Sequence, residues 1–331
     1  MMRPIRWGIL GCGRIAGKFT ADLKLVDGAV LHAAASTDLT RAQEFARTHG
    51  FRHAFGSYRE LCESEVDVIY VATPHGLHHS HVRLCLEYGK AVLCEKAFTL
   101  NLRQLDDLIT LARARNIFMM EAFWTRFTPQ YMKARQLAES GAIGQIKMVS
   151  ADFGFRAPVP LAQRLFDPQL GGGALLDIGI YPVFLAVSLL GRPESVSATM
   201  TPYPSGVDEQ IAITLKFPDG AMASLHASFA ADTPVEARIN GTEGRVLMTP
   251  RFHNPTGSSV ILELPGQTPT TVVEPSGHGG GYQYEARHVQ ESLWAGQTES
   301  SLLPLDFSRL LMETLDRIRI ACGIRYPADL T

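Results

Sequence analysis

A lysine follows an apolar strand-like run in the first half of the chain. The stretch "AVLCEKAF" ends the run with Glu95 and Lys96, and the chain has only seven lysines. Desolvation at the end of a buried strand lowers the pKa of a lysine and makes its amine useful in proton transfer. A strand-end lysine more commonly just reaches solvent, so a role for Lys96 in chemistry needs partners elsewhere in the chain.

An acid and a phenol lie four residues apart in the most apolar part of the second half. In "GGGALLDIGIYPV" three glycines lead into a predicted helix on which Asp177 and Tyr181 share one face. Polar side chains buried in an apolar helix need hydrogen-bonding partners, and Lys96 is a natural partner for either residue. These three residues are the candidates for proton-transfer chemistry.

The start of the chain has the pattern of a dinucleotide-binding loop. "IRWGILGCGRIAGKF" reads as a strand, then Gly11-x-Gly13-x-x-Ala16, then a helix. Gly11 permits a tight turn and Gly13 lets backbone amides approach a pyrophosphate. The helix that starts with Arg14 and Ile15 directs its positive N-terminus at the phosphates. The motif alone is weak evidence, but its place between a strand and a helix predicts a bound dinucleotide.

The end of the second predicted strand bears on the choice between NAD and NADP. An acidic residue there would bind the adenosine ribose 2′-hydroxyl and repel a 2′-phosphate. This chain has Ser36 and Thr37 instead, with Asp38 slightly late and Arg41 able to reach back to a phosphate. We predict NADP as the cofactor, with NAD as the alternative.

Four histidines lie within seven residues in "HGLHHSH", immediately after the fourth predicted strand. The i, i+4 spacing of His75 and His79 is that of paired zinc ligands on a helix. However, no carboxylate or thiolate lies within a few residues to complete a coordination sphere. We therefore predict no metal site. Instead, Thr73 and Pro74 would flank the nicotinamide ribose, and His75 and His78 would begin the helix beside it.

The two halves of the chain differ in pattern. Up to about Glu121, apolar runs alternate with helix-like segments, which predicts right-handed crossovers and an α/β fold with a doubly wound parallel sheet, the Rossmann arrangement. After about Ile143, strands follow one another through turn sequences, interrupted by one apolar helix. We predict a Rossmann domain at residues 1–122 and an α+β domain with a large, mostly antiparallel open sheet at residues 123–331.

Composition argues against several classes of protein. A net charge of −2 would gather neither nucleic acid nor anionic lipid. Five scattered cysteines without a C-x-x-C pair fit a reducing cytosol. The apolar stretch from Ala174 to Gly191 contains Asp177 and Pro182, which favour a buried helix over a membrane span. We therefore predict a cytoplasmic protein that binds neither nucleic acid nor membrane.

The strands "IAITLKF" and "MASLHASF" carry many apolar residues for a sheet with one face in solvent. A second subunit would cover such a face. We predict a homodimer or higher homo-oligomer formed through the C-terminal sheet.

Taken together, these motifs resemble the Gfo/Idh/MocA family of oxidoreductases. The resemblance covers nearly the whole length, through "GILGCGRIAGKF", "ATPHGLHH", "VLCEKAF", "MEAFWTRFTP", "GGGALLDIGIYPV", "INGTEGRV" and "GYQYEARHV". "EAFWTRF" and "GGGALLDIGIYP" are similar to the branch of dimeric dihydrodiol dehydrogenases and NADP-dependent D-xylose 1-dehydrogenases. The resemblance implies hydride transfer between a nicotinamide cofactor and a carbon bearing a hydroxyl, in a sugar, a related cyclic alcohol or a trans-dihydrodiol.

The resemblance also implies roles for single residues. Lys96, preceded by Glu95, would contact the reacting oxygen and the cofactor. Tyr181 would be the general acid/base, and Asp177 would orient the substrate or assist Tyr181.

The same resemblance implies roles for three further residues, Trp124, Arg126 and Phe155. Trp124 and Arg126 match positions that bracket the cofactor, although a core aromatic is an equally good interpretation of Trp124. Phe155 would line the substrate pocket, and ordinary packing in the sheet explains it equally well.

Two positions depart from the family pattern. The family's E-K-P is here Glu95-Lys96-Ala97, and a cis peptide before a non-proline residue costs about 2.5–4 kcal/mol. We therefore expect a trans peptide there and a slightly displaced Lys96. The dihydrodiol branch commonly has an arginine where this chain has Thr37, which weakens the NADP prediction without reversing it.

Two other functions compete with a dehydrogenase. A non-catalytic, dinucleotide-binding regulator of the same fold could lose the lysine, the aspartate and the tyrosine without penalty, and all three are present. A histidine-ligated metal hydrolase would carry stoichiometric zinc and lose its activity to a chelator. The sequence favours the dehydrogenase.

Overall fold

The computed structural model describes residues 2–158 and 163–330, which divide into two compact units. The first unit contains the chain up to Arg126 together with Gly279–Arg309, and the second contains Phe127–His278 and the chain from Leu310 onward. Residues 279–309 thus lie with the first unit, whereas the predicted bounds place all of 123–331 in the second domain. Those bounds remain a prediction.

The first unit is built on a six-stranded parallel sheet of order β3-β2-β1-β4-β5-β6, as predicted. Its strands are β1 (Ile5–Leu10), β2 (Ala29–Ala35), β3 (His53–Phe55), β4 (Val68–Val71), β5 (Ala91–Glu95) and β6 (Met119–Ala122). Its helices are α1 (Arg14–Leu23), α2 (Leu39–His49), α3 (Tyr58–Glu63), α4 (His75–Glu87) and α5 (Leu102–Arg115). Every residue of β4, β5 and β6 is buried, which is why these strands read as continuous apolar runs.

The second unit holds an eight-stranded sheet of order β14-β13-β12-β11-β7-β10-β9-β8. Its strands are β7 (Ile146–Gly154), β8 (Ser195–Pro202), β9 (Asp208–Lys216), β10 (Met222–Ser228), β11 (Ala237–Gly241), β12 (Arg245–Met248), β13 (Val260–Glu263) and β14 (Thr270–Val273). β7 and β10 pair in parallel, and the other neighbours pair antiparallel. The predicted mostly antiparallel sheet is confirmed.

Four further helices have eleven or more residues each. They are α6 (Pro129–Glu139), α7 (Ile180–Leu190), α8 (Tyr282–Trp294) and α9 (Leu305–Cys322). Short 3₁₀ turns lie at Trp124–Phe127, Pro168–Leu170 and Pro327–Asp329. A π-helical turn, Leu175–Gly179, leads into α7, so the helix predicted after the three glycines is present, and its first turn is π-helical.

The long apolar helix belongs to the core of the second unit. The run Pro168–Leu190 is long and apolar enough to cross a membrane by length and composition, but 78% of its most apolar window is buried. Helix α7 packs on β7 and β10. As with many core helices of soluble proteins, burial explains the composition, which makes the helix weak evidence for a membrane span.

Most of the apolar residues on which the prediction of an oligomer rests lie on the inner face of the eight-stranded sheet. Ile211, Ile213 and Leu215 of β9 are buried within the unit, as are Ala223 and Leu225 of β10. The residues that alternate with them on these strands are more exposed and mostly small or polar. The argument from an apolar solvent face is therefore wrong for these residues, because strand alternation turns them inward.

Candidate functional site

The N-terminus of α1 has the form that an external anion requires. Gly11 has φ +100°, and a Cβ there would lie 3.0 Å from Thr73 Cγ2, so the tight turn needs glycine. A Cβ on Gly13, which has φ −98°, would meet no described heavy atom within 4 Å beyond its chain neighbours. Arg14 is exposed and Ile15 is partly buried at the first turn.

Helix capping sets α1 and α4 apart from the other helices of this sheet. Side chains of Asp38, Ser57 and Asn101 cap α2, α3 and α5 by accepting from backbone N–H groups. Within the described residues, α1 and α4 receive no such side-chain cap. The helix starts predicted to face the cofactor are therefore the two without a side-chain cap from the N-cap residue, which fits a bound pyrophosphate at α1.

The end of β2 gathers a serine, a threonine and an arginine. Arg41 Nε donates to Ser36 Oγ (2.8 Å), and Arg41 Nη2 donates to Thr37 Oγ1 (3.3 Å). The carboxylate of Asp38 accepts from the backbone N–H of Thr40 (2.8 Å) and of Arg41 (3.2 Å). Asp38 is therefore engaged in capping α2, and the basic group at this strand end is Arg41.

The histidine cluster begins α4, as predicted, and its members have different neighbours. His78 is fully buried, with Nε2 2.7 Å from the Thr73 carbonyl oxygen and Nδ1 2.8 Å from the Ala97 carbonyl oxygen. Burial lowers the pKa of His78 to about 4, so its ring is neutral at pH 7 and donates to one carbonyl at a time. His75, which follows Pro74, is also buried and lies edge-on to His78.

The other two histidines of the cluster, His79 and His81, contact different residues. His79 Nε2 is 2.8 Å from Asp107 Oδ2 at the surface, and His81 Nδ1 is 3.0 Å from Thr73 Oγ1. Across residues 2–158 and 163–330, no group of three or more His, Cys, Asp or Glu side chains is arranged to hold a metal ion.

Lys96 lies at the end of β5 and is partly exposed. The Lys96–Ala97 peptide bond is cis, so the expectation of a trans bond is wrong. The expectation rested on the trans preference of an isolated peptide bond, which takes no account of the hydrogen bonds around this turn. The carbonyl of Ala97 faces His78 Nδ1, and the next N–H, of Phe98, donates to Glu121 Oε1 (3.1 Å).

Buried acids surround this strand end. The Tyr70 hydroxyl donates to the carboxylate of Glu95, and both side chains are buried. Glu121 on β6 is 2% exposed, and burial raises its pKa to about 7. Sequence reasoning missed Tyr70 and Glu121. The available signal was a carboxylate inside the apolar run "NIFMMEA".

Trp124 and Arg126 are buried within the first unit. Trp124 stacks on Tyr282 with ring centroids 4.6 Å apart. Arg126 Nε donates to the carbonyl of Leu302 (2.9 Å). These contacts explain both side chains as packing, and their predicted contact with the cofactor remains a prediction.

Asp177 and Tyr181 lie on the π-helical turn and on α7 of the second unit. Asp177 is the one residue from Gly171 to Val187 that is not buried. Tyr181 is 7% exposed, and its ring lies 5.0 Å from that of His253 and 5.6 Å from that of Phe153. π-Helical turns within helices are frequent at functional sites, so this segment is the candidate chemical part of the second unit.

A buried aspartate closes the N-terminus of the same helix. Asp208 Oδ2 accepts from the N–H of Leu175 (2.6 Å), and burial raises the pKa of Asp208 to about 7. The Tyr326 hydroxyl donates to the Gly172 carbonyl (2.7 Å). A Cβ on Gly173, which has φ +113°, would overlap Asp208 Oδ1. The sequence does not predict that Asp208 caps this helix, because Asp208 lies 33 residues from Leu175.

Phe155 follows β7. Its N–H donates to the Ser228 carbonyl (2.9 Å), and its ring lies edge-on to Phe229 at 5.2 Å. Packing at the sheet end thus accounts for Phe155, and its place in a substrate pocket remains a prediction.

Comparisons with known proteins agree with this architecture. The family model for the "oxidoreductase family, NAD-binding Rossmann fold" of Gfo/Idh/MocA matches residues 5–123, and the model for the Gfo/Idh/MocA C-terminal domain matches residues 131–247. The chain is 39% identical to a trans-1,2-dihydrobenzene-1,2-diol dehydrogenase of Xenopus laevis over 97% of this chain and 99% of that one. The human dehydrogenase of that name is 36% identical over 98% and 99%.

Among solved structures, the chain is similar to a 3-ketoreductase from Actinomadura kijaniata in complex with NADP and TDP-benzene. The TM-score is 0.86 at 28% identity, covering 97% of this chain and 98% of that one. Since family models match both parts of the sequence and full-length relatives exceed 35% identity, the chain belongs to the Gfo/Idh/MocA family and is an NAD(P)-dependent oxidoreductase.

Proposed function

We propose that the protein is an NADP(H)-dependent dehydrogenase that acts on a sugar such as D-xylose, a related cyclic alcohol or a trans-dihydrodiol. The observation that carries the proposal is that Asp177 alone is partly exposed in a buried helical run that also contains Tyr181. Packing gives no reason to keep a carboxyl accessible there, whereas recognition of a polyhydroxylated substrate does. The names of the dehydrogenases that resemble the chain over its full length support the same class of substrate.

The residues at the end of β2 support NADP over NAD. Arg41 is oriented by the Ser36 and Thr37 hydroxyls, and a guanidinium held in this way is suited to bind a 2′-phosphate. The one acid nearby, Asp38, already accepts two backbone N–H groups. The similar 3-ketoreductase was solved with NADP, which agrees with this choice.

The proposed chemistry divides among three side chains. In oxidation, the Tyr181 phenolate takes the proton of the substrate hydroxyl, and in reduction the phenol returns it. The Lys96 ammonium stabilises the negative charge that develops on the substrate oxygen. Asp177 accepts a hydrogen bond from a further hydroxyl and so orients the substrate. When bound, the nicotinamide supplies the acceptor or donor of hydride.

A titration with NADPH and then NADH, followed by nicotinamide fluorescence, tests the cofactor. We expect tighter binding of NADPH, and we expect Arg41→Ala to weaken NADPH binding about 10- to 100-fold while NADH binding stays the same, because a charge-assisted contact to phosphate is lost. Arg47→Ala, an exposed arginine of the same helix, is the matched control. Tighter NADH binding by the unchanged protein, or equal losses for both cofactors, would overturn the choice of NADP. Turnover is then assayed with D-xylose, other aldoses and trans-dihydrodiols.

We also propose that a second copy of the chain covers the outer face of the C-terminal sheet. Met148 and Met222 are each 44% exposed and are direct partners in the β7–β10 register. Thr214 and His226 lie exposed on the neighbouring rows, so this face presents several exposed side chains that a second copy would cover. Sedimentation velocity is expected to give twice the mass of one chain, and a monomer at micromolar concentration would refute the dimer.

A cytoplasmic location is part of the proposal. All five cysteines are free thiols, as expected in a reducing compartment. Recovery of the protein in the particulate fraction of the cells that make it would count against this location.

A further inference from the structure

We propose that Glu121 is a positioning residue for Lys96, with its buried carboxylate holding the turn that carries the lysine and placing a negative charge beside the ammonium group. This inference rests on the proposed role of Lys96 in the dehydrogenase. The residues that carry it all lie in the first unit.

The carboxylate of Glu121 joins two segments that are distant in sequence. Oε1 accepts from the backbone N–H of Phe98 (3.1 Å), two residues after Lys96. Oε2 accepts from the Ser308 hydroxyl (2.8 Å) near the start of α9. Each oxygen thus has its own donor, and the donor on Oε1 belongs to the turn that begins at Lys96.

Strand pairing fixes the position of Glu121 itself. Glu121 is the register partner of Cys94 on β5, and the next pair is Glu95 with Ala122. Both strands are fully buried. Because the strand holds the carboxylate and the carboxylate holds the N–H of Phe98, the backbone on both sides of Lys96 is tied to the sheet. Such a tie pre-organises a catalytic group.

The charges around Glu121 favour the same role. Burial is the main cause that raises its pKa, Glu95 raises it further, and the nearby positive charge of Lys96 lowers it. A further titratable neighbour, Cys94 on β5, has a thiol pKa raised by burial and by the charges of Glu95 and Glu121. An ionised Glu121 therefore favours the ammonium form of Lys96, which is the form that would stabilise an oxyanion.

Lysine reactivity tests the proposal without any substrate. The rate at which Lys96 reacts with acetic anhydride is measured by mass spectrometry between pH 6 and 11 in the full-length protein. Glu121→Gln keeps an acceptor for the Phe98 N–H and a partner for Ser308 but removes the charge. We expect this variant to lower the midpoint of Lys96 reactivity by about one pH unit. Lys90, whose Nζ donates to the Ser64 carbonyl (2.7 Å), serves as the internal control and should not change.

Steady-state kinetics test the positioning. Glu121→Leu removes both hydrogen bonds, and we expect kcat to fall about 10- to 100-fold with KM for NADPH within twofold. Glu121→Gln should restore most of kcat, which a loss of folding would not explain. Ser308→Ala should give a smaller fall. Its control is Thr314→Ala, which removes a buried hydroxyl that donates to the Leu310 carbonyl on the same helix.

The outcomes separate this inference from the proposed function. An unchanged Lys96 midpoint in Glu121→Gln, with unchanged kcat in Glu121→Leu, overturns the inference. If Glu121→Leu fails to fold, the midpoint in Glu121→Gln decides alone. A shifted midpoint in a protein that turns over none of the sugars or dihydrodiols supports the inference and refutes the proposed substrates.

Discussion

Two glycine-rich segments of this chain each precede a helix, and they are used in opposite ways. Gly11 and Gly13 precede α1, where the described residues provide no side-chain cap and a Cβ on Gly13 would stand in open space. The three glycines from Gly171 to Gly173 precede the π-helical turn, where a Cβ on Gly173 would overlap the carboxylate of Asp208. The first helix start is open, and the second is closed by the protein itself.

The comparison shows that glycine admits a close neighbour without determining which neighbour it is. At the open start no side-chain cap is present, and the proposed neighbour is the pyrophosphate of the cofactor. At the closed start it is Asp208, which takes the N–H of Leu175. The open start thus suits the proposed cofactor, and the closed start fixes the segment that carries Asp177 and Tyr181.

Tyr181 lies in the segment that the closed helix start fixes, and its substitution has the largest expected effect on kcat. Tyr181→Phe removes the proton-transferring hydroxyl and keeps the ring that packs beside Phe153 and His253. We expect kcat to fall about 10³-fold, since general acid/base groups contribute about 10²–10⁴-fold. NADPH binding, measured by fluorescence, should stay within twofold. A kcat within threefold of the original would remove Tyr181 from the mechanism.

A carboxylate at position 13 would cap the N-terminus of α1 and so remove the difference between the two helix starts. Gly13 is the N-cap of α1, with a backbone that any residue can adopt. Gly13→Asp should raise the melting temperature slightly, because an N-cap aspartate stabilises a helix by only about a few tenths of a kcal/mol more than an N-cap glycine does. The same charge should repel the pyrophosphate and weaken NADPH binding about 100-fold. Calorimetry of the protein alone and fluorescence titration measure the two effects.

Asparagine at this position is the matched control. Gly13→Asn caps the helix without adding charge, so it should give a similar gain in melting temperature and a smaller loss of NADPH affinity. If Gly13→Asp binds NADPH as well as the original protein does, the phosphates lie elsewhere.

Removal of the charge that closes the second start is expected to change stability rather than activity, and the change depends on pH. The fold raises the pKa of Asp208 to about 7, so the folded protein holds this proton more tightly than the unfolded chain does. The resulting stability is fully present below the unfolded pKa and is lost as the pH rises through 7, by up to about 1.4 kcal/mol per pH unit. Asp208→Asn does not titrate, and its amide oxygen can still accept from Leu175.

Urea unfolding at several pH values measures this difference. Between pH 5 and 8, the stability of Asp208→Asn should rise relative to that of the original protein. Other buried acids, including Glu121, contribute equally to both proteins and cancel. A difference that does not vary with pH would mean that Asp208 has the same pKa in the folded and unfolded chains.

Local patterns account for the parts of the structure that the sequence predicted well. The six strands of the parallel sheet are short apolar runs, and Gly11-x-Gly13 lies directly between a strand and a helix. Strands β11 and β14 leave no such pattern in the sequence. "ARING" contains a charge, an amide and a glycine, and "TTVV" is too short to show alternation. The motif "GYQYEARHV" contains the start of helix α8, and nothing in its local pattern assigns it to the first unit.

The sequence by itself determined the alternation of strands and helices and the place of Gly11-x-Gly13 between a strand and a helix, because each depends on residues within a few positions of one another. Only the tertiary structure decided which glycine-rich helix start is open. The donor and acceptor that close the second start are 33 residues apart, and Glu121 and Ser308 are 187 apart. Partners at such separations leave no local pattern, since folding alone brings them within hydrogen-bonding distance.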